Sequence, residues 1–179
     1  MPTLRLTIRF RQRAMALKRF VVIFVSRRNT LRSILAQACL SHLGSDRFAA
    51  YSCGHPAHLG DSIDPAALSA LASVRMPVPT QLPRSWSEFA RGGAPQANFV
   101  ITLDAEMLSL EPSWPGQPDA ALWDFPDLAA VANPDESARA ALLMLYALRR
   151  RLELMISLPL HGADRDAIRS DVRDLAYMQ

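Results

Sequence analysis

Cysteine is scarce in this chain, and long apolar runs are missing. Two cysteines occur among 179 residues; they form no C-x-x-C pair and no cluster with histidine, so neither a disulfide framework nor a structural zinc site is expected. No stretch approaches the roughly 20 apolar residues of a membrane span, and the run Val21–Val25 is too short for a secretory signal. We therefore expect one cytoplasmic domain with no metal, no cofactor and no transmembrane segment.

Acidic residues are absent from the first twenty positions. That segment carries six basic residues, Arg5, Arg9, Arg11, Arg13, Lys18 and Arg19. Because the whole chain has a formal charge of +3, the remainder is net negative at −3. A basic tail could contact an anionic membrane or nucleic acid; it could also be a disordered leader, or an over-long start with Met15 as the true first residue. We predict a disordered basic extension over residues 1–19 and no specific nucleic-acid binding.

Short apolar runs alternate with helical patterns along the rest of the chain, which has no internal repeats. The patterns predict strands at 19–25, 47–54 and 98–103, and a short strand at 121–123 inside a long loop. Helix signals are a C′ glycine at Gly44, an N-cap and N1 pair at Asp64-Pro65, a capping box over Ser85–Glu88, and an N-cap at Asn133 for the longest helix. This alternation indicates an α/β protein with a parallel sheet, whose site lies at the carboxyl ends of the strands.

A polar, arginine-flanked loop follows the first strand directly. It reads Ser26-Arg27-Arg28-Asn29-Thr30-Leu31-Arg32-Ser33 and leads into a helical pattern. A strand that delivers such a loop to a helix N-terminus is the usual setting for phosphate binding, because backbone N–H groups there point at the ligand. The loop is therefore the candidate functional site.

The order of motifs resembles the low-molecular-weight protein tyrosine phosphatases, and most of all their thioredoxin-coupled arsenate reductase branch. In that family the first strand ends in C-x5-R-S, which the loop above resembles from Ser26 onward. Four further segments resemble family motifs in order: Tyr51-Ser52-Cys53-Gly54, Ser85-Trp86-Ser87-Glu88-Phe89, Phe99-Val100-Ile101-Thr102 and Trp123-Asp124-Phe125-Pro126-Asp127-Leu128. The resemblance covers about residues 20–159. It implies a three-layer sandwich, with a four-stranded parallel sheet and helices on both faces, over residues 20–158, followed by an extension at 159–179.

The resemblance also implies roles for the matched residues. The family's loop, here Arg27 to Ser33, binds a phosphate-like oxyanion or a phosphorylated ligand. Arg32 matches an arginine that clamps two of its oxygens, Asn29 matches an asparagine that holds the loop's shape, and Ser33 matches a serine that supports the nucleophile. Asp127 matches the general acid that protonates the leaving oxygen, although an aspartate after proline is also a common turn former.

The nucleophile position is the main departure from the family. It is Ser26, where the family has a cysteine. The N-terminus of a helix can lower the pKa of a thiol from about 8.5 into the neutral range. A serine hydroxyl starts several units higher and needs an adjacent base, which the loop does not contain. The relay cysteine that follows the family's third strand is also missing, since Leu103 is followed by Asp104, so thiol-based arsenate reduction should be absent.

Six other positions leave alternatives open or depart from the family pattern. Arg28 stands where the family commonly has glycine, so it could strain the loop or add a second contact to the anion. Cys53 could approach the loop from the neighbouring strand, or be a small buried hydrophobe. His55 and His58 are spaced loosely like metal ligands, but no third ligand type lies nearby. Leu128 and Ala129 replace the Pro and Tyr usual in the phosphatases, so phosphatase specificity is unsupported.

Three functions remain possible on the sequence. The first, which we favour, is a catalytically degenerate family member that binds phosphate, arsenate or a phosphorylated partner. The second is an active tyrosine phosphatase or arsenate reductase by variant chemistry, with Cys53 recruited. The third is a non-catalytic interaction protein that uses the basic tail.

Overall fold

The computed structural model describes residues 18–81, 83–162 and 164–178. The predicted disordered extension therefore lies outside the described residues, apart from Lys18 and Arg19, which are both exposed. Within the described residues the strands are β1 (Phe20–Val25), β2 (Phe48–Cys53), β3 (Phe99–Thr102) and β4 (Asp119–Leu122). The α-helices are α1 (Arg32–Gly44), α2 (Pro65–Ser73), α3 (Ser87–Ala90), α4 (Pro134–Ser157) and α5 (Arg165–Asp174). No helix of these ranges is long and apolar enough to cross a bilayer.

The four strands form one parallel sheet in the order β2-β1-β3-β4. β1 pairs with both β2 and β3, and its last residue, Val25, lies opposite Cys53 on one side and Thr102 on the other. The carboxyl ends of these three strands therefore end together at one edge of the sheet. The prediction of a four-stranded parallel α/β fold is confirmed, and the loop after Val25 begins at the edge where such sheets bind ligands.

Side chains of β1 alternate between two cores, which is why its apolar run is continuous. Val22 and Phe24 belong to the larger core, under α1, α2, α4 and α5, and Ile23 and Val25 belong to the smaller one. The smaller core is covered by Trp86 and Phe89 of the short α3 region. Helical structure thus covers both faces, but the two layers are unequal in size.

Local capping signals locate two helices correctly. The Asp64 carboxylate accepts from the N–H of Ala66 at 2.8 Å, and Pro65 is the first residue of α2. The Asn133 side chain accepts from the N–H groups of Asp135 and Glu136 at the start of α4. Both arrangements satisfy backbone donors that a helix start would otherwise leave unpaired.

Three local predictions need correction. Gly44 is the last residue of α1 and not its C′ residue, because helix and core meet there: a Cβ atom would lie 3.1 Å from side chains of Ile156 and Phe48. The Ser85–Glu88 capping box does not close, since the Glu88 carboxylate accepts from Arg84 Nε at 3.0 Å. The strand predicted at 121–123 is β4 and starts two residues earlier, at Asp119.

The C-terminal segment packs against the edge strand β4. Asp119 is buried and accepts from Arg169 Nε at 2.8 Å and from Arg165 Nε at 3.4 Å, both on α5. Trp123, fully buried after β4, donates its indole N–H to the carbonyl of Val172 at 2.9 Å. α5 is therefore joined to β4, the edge strand of the sheet, by both ion pairs and packing.

Candidate functional site

The carbonyl groups of the loop are bound from behind by the segment between β2 and α2. The carbonyls of Arg27, Arg28 and Thr30 accept from the N–H groups of His55, Gly60 and Asp64, each at 3.0 Å. These bonds turn the loop carbonyls toward the protein.

The backbone N–H groups of the loop differ from its carbonyls in their hydrogen bonding. Among the described residues, none of the consecutive N–H groups of residues 27–33 donates a hydrogen bond to a protein acceptor. Several of these residues are buried, including Asn29, Leu31, Arg32 and Ser33. Buried backbone donors are almost always paired in native proteins. A run of donors without a protein acceptor at a helix N-terminus therefore forms the type of site that binds an anion.

The Asn29 side chain links the loop to two other parts of the chain. It has a left-handed backbone with φ of 54°, a conformation that Asn tolerates better than most residues. Its amide donates to Ser33 Oγ at 2.8 Å, and its carbonyl oxygen accepts from the N–H of Arg84 at 2.8 Å. Gly54 packs behind it, where a Cβ atom would lie 3.0 Å from loop backbone atoms of Arg27, Arg28 and Asn29.

Ser26 lies at the start of the loop with its hydroxyl 2.7 Å from Ser33 Oγ. The residue is almost fully buried. No histidine or carboxylate hydrogen-bonds to its hydroxyl among the described residues, so the general base that a serine nucleophile needs is not found there. The Ser26 hydroxyl is thus paired with Ser33, and the described residues place beside it no group that would activate a hydroxyl.

Arg32 is held from two sides by groups that follow β3 and β4. Its Nη2 donates to Asp104 Oδ2 at 2.6 Å, and its Nη1 donates to the carbonyls of Phe125 at 2.8 Å and Leu103 at 3.5 Å. Both members of the Arg32–Asp104 pair are buried, with side-chain exposures of 8% and 9%. A guanidinium has five N–H donors. These bonds use three of them and leave one on Nε and one on Nη2, which is the number a bidentate clamp on an oxyanion requires.

Asp104 is a site residue that the sequence reasoning missed, because it was considered only as the absence of a thiol. The signal was present: Asp104 follows the end of β3, and β3 lies beside β1 in the sheet. In a parallel sheet, residues just beyond neighbouring strand ends meet at the same edge. Asp104 holds the arginine of the loop in place.

Arg27 and Arg28 extend from the loop toward acidic partners on the facing segments. Arg27 Nη1 lies 3.3 Å from Glu106 Oε2, beside a cavity of about 380 Å³. Arg32, Asp104 and Asp127 also line that cavity. Arg28 Nη2 lies 3.8 Å from Asp127 Oδ2, at a smaller cavity of about 20 Å³. The smaller cavity is lined by Ser26, Arg28, Thr30, Leu31, Arg32, Asp127 and Leu128.

The Asp127 carboxylate makes a turn contact and also lines the smaller cavity. Its Oδ1 accepts from the N–H of Ala129 at 3.0 Å, which is the turn-forming contact. Its Oδ2 faces Arg28, and its side chain lines the same cavity as Ser26 and Arg32. The three side chains predicted to form the site, Ser26, Arg32 and Asp127, are thus brought to one cavity.

Cys53 does not reach the loop cavity. It is fully buried in the smaller core, and burial raises the pKa of its thiol well above the ordinary value. Cys39 is also buried, in α1, and burial raises the pKa of its thiol to about 12. Since the thiolate is the reactive form, both cysteines should be inert near neutral pH.

We expect native protein to resist thiol reagents at pH 7 to 8. Titration with a disulfide reagent such as Ellman's reagent should label neither Cys39 nor Cys53 within minutes, and should label both in urea, because unfolding exposes them. As a matched test of recruitment to the site, Cys53→Ala should leave phosphate affinity unchanged. Fast labelling of Cys53 in native protein, or phosphate protection of that thiol, would contradict its structural role.

The His55 ring meets Trp86 edge-on, and the His58 ring lies beside that of His55. Their ring centroids are 4.9 Å apart, and the His55 ring lies 4.6 Å from Trp86. In the described ranges no group of three or more His, Cys, Asp and Glu side chains is arranged to hold a metal ion. The histidines thus contribute to packing behind the loop.

Comparison with known proteins agrees with this geometry. Residues 21–119 match the family model described as low molecular weight phosphotyrosine protein phosphatase. That match spans more than half of the chain, so the chain belongs to this family. A search of curated proteins found no match. The family and the fold predicted from the sequence are therefore confirmed.

Solved structures with the same fold include reductases and phosphatases. An arsenate reductase in the phosphate binding state is 24% identical, with a TM-score of 0.62 over 77% of this chain and 97% of that one. A thioredoxin-dependent arsenate reductase from Corynebacterium glutamicum is 20% identical, with a TM-score of 0.53 over 79% and 65%. A low molecular weight protein tyrosine phosphatase from Streptococcus pyogenes is 17% identical, with a TM-score of 0.52 over 74% and 93%. At these identities the likeness is one of fold.

Proposed function

We propose that this protein is a catalytically degenerate member of the family that binds a phosphate-like oxyanion in the loop of residues 27–33. The observation that carries the proposal is the run of loop N–H groups without a protein acceptor, in a loop whose carbonyls are bound from behind. Seven N–H donors beside a buried arginine are suited to binding a tetrahedral anion, because buried donors are seldom left without an acceptor. Phosphate, arsenate and the phosphoryl group of a partner share this chemistry.

Loss of the family reaction is proposed on the chemistry of Ser26. Its hydroxyl is bound to Ser33 and has no basic partner among the residues that the structure describes, so the field that ionises a thiol in such a loop leaves a serine protonated. Variant chemistry through Cys53 has no supporting observation, because that thiol is buried away from the cavity. A role for the basic tail concerns residues outside the described ranges and stays a prediction, as does a cytoplasmic location.

Calorimetry with inorganic phosphate tests the binding proposal. Wild-type protein should bind phosphate, and Arg32→Lys should lose about tenfold or more in affinity, because lysine keeps the charge beside Asp104 but lacks the planar fork. Lysine is chosen over alanine, since alanine would leave the Asp104 carboxylate buried without a partner.

Arg27→Lys is the matched control for this experiment. It makes the same change at a partly buried arginine that pairs with Glu106 outside the smaller cavity, and it should alter phosphate affinity by less than about threefold. No heat of binding in the wild type, or equal affinity in the Arg32→Lys variant, would rule out an arginine-clamped oxyanion site.

A further inference from the structure

The smaller cavity, which the loop and Asp127 line, has little room for a ligand. Its volume is about 20 Å³, close to the space of one water molecule. Arg28 and Asp127 both line it and contact each other there, and their side chains are half-exposed, at 46% and 44%. Arg32 and Asp127 also line the adjoining cavity of about 380 Å³, so an anion bound between the loop and Arg32 would lie against the Arg28–Asp127 pair.

Arg28 is placed to take part in that change. Its backbone φ is not in the left-handed region, which among non-glycine residues of the loop is adopted by Asn29 alone, so a large side chain at position 28 is accommodated without backbone strain. Its contact with Asp127 is long, at 3.8 Å, and lies at the surface. Ion pairs of this kind are weak, so the charge of an incoming dianion is able to displace the carboxylate from the guanidinium.

We propose that Arg28 is a specificity-determining residue that makes the site select a small free oxyanion, such as inorganic phosphate or arsenate, over a phosphate ester. The inference rests on the proposed oxyanion site. When the loop and Arg32 hold three oxygens of the anion, the fourth points toward Arg28 and Asp127. In a free oxyanion that oxygen accepts from Arg28 in place of Asp127. In an ester the same oxygen carries a substituent, which must pass between Arg28 and Asp127, and it accepts a hydrogen bond poorly.

The selectivity is measured by calorimetry with inorganic phosphate and phenyl phosphate, at a pH where both are dianions. For wild-type protein we expect phosphate to bind about tenfold more tightly, the value of one charge-assisted hydrogen bond. Arg28→Ala should weaken phosphate binding while phenyl phosphate binding holds or improves, so that the ratio falls to about one. The exposed position makes this variant safe for folding, and circular dichroism checks it.

Arg27→Ala is the control for charge alone. It removes the same charge from the adjacent residue, whose partner Glu106 lies at the other cavity. It should change both affinities together and leave their ratio unaltered. A ratio near one in the wild type overturns the inference, and so does a ratio unaffected by Arg28→Ala. Phosphate binding that appears only after Arg28→Ala would show that Arg28 blocks the site and does not bind the anion. That result also overturns the inference. No binding of phosphate by any variant overturns the proposed oxyanion site itself, and the inference with it.

Discussion

Replacing Asp104 by asparagine is expected to cost about 3 kcal/mol of unfolding free energy, because it leaves the Arg32 guanidinium buried without its counter-ion. Against the roughly 5–15 kcal/mol that stabilise a typical domain, this is a large fraction. The shape of the side chain is conserved, and its remaining oxygen can still accept from Arg32. The loss therefore reports the charge. Urea denaturation of wild-type and variant protein measures it.

The same variant gives a second readout through ligand binding. A phosphate ion bound in the loop would supply negative charge beside Arg32, so phosphate should raise the melting temperature of the Asp104→Asn variant more than that of the wild type. This response distinguishes a site arginine from one that serves only the core.

Glu106→Gln is the matched control. Glu106 is two residues away, pairs with Arg27 at 3.3 Å, and is 74% exposed, so its neutralisation should cost less than about 1 kcal/mol. If Asp104→Asn proves as stable as Glu106→Gln, the buried pair does not hold the loop arginine in the way its geometry indicates.

Replacing Ser26 by cysteine is expected to produce the largest change in activity. Wild-type protein should show no turnover of a small aryl phosphate above background, and Ser26→Cys should exceed it by about a thousandfold or more, because the loop would stabilise a thiolate where it cannot stabilise an alkoxide. The new thiol would lie beside Ser33 Oγ, the atom that the Ser26 hydroxyl now contacts at 2.7 Å. Steady-state release of the phenol measures the gain.

Two variants isolate the source of this activity. Ser26→Ala should stay at the wild-type background, and adding Asp127→Asn to Ser26→Cys should lower the rate, since it removes the carboxyl group that faces the cavity. Wild-type turnover that disappears in Ser26→Ala would identify Ser26 as a working nucleophile and contradict the degenerate reading. A silent Ser26→Cys variant that still binds phosphate would mean that more than the thiol has been lost.

Local patterns in the sequence were sufficient for most of the fold. The apolar run at Val21–Val25 is continuous because β1 is buried on both faces, and such a run is typical of a strand in a parallel sheet. Asp64 and Asn133 correctly predicted the starts of α2 and α4, because a capping side chain bonds to N–H groups within three residues of its own position. Gly44 was misplaced for the converse reason: its close neighbour Ile156 is more than a hundred residues away.

The candidate site divides in the same way. The order of residues from Ser26 to Ser33 by itself indicated an oxyanion loop, and the absence of a thiol and of a nearby base by itself argued against the family's reaction. These properties depend on residue type and on short spacing, which a sequence records directly.

What only the tertiary structure decided is the partner of each loop arginine. Asp104 and Asp127 follow β3 and β4, far from the loop along the chain, and they reach Arg32 and Arg28 because parallel strands bring their carboxyl ends to one edge. Which carboxylate meets which guanidinium depends on the order of the strands and on the path of the loops between them. The sequence therefore determined the residue types of the loop, with a serine at its start and arginines in need of partners, while the sheet determined which carboxylates Arg32 and Arg28 meet.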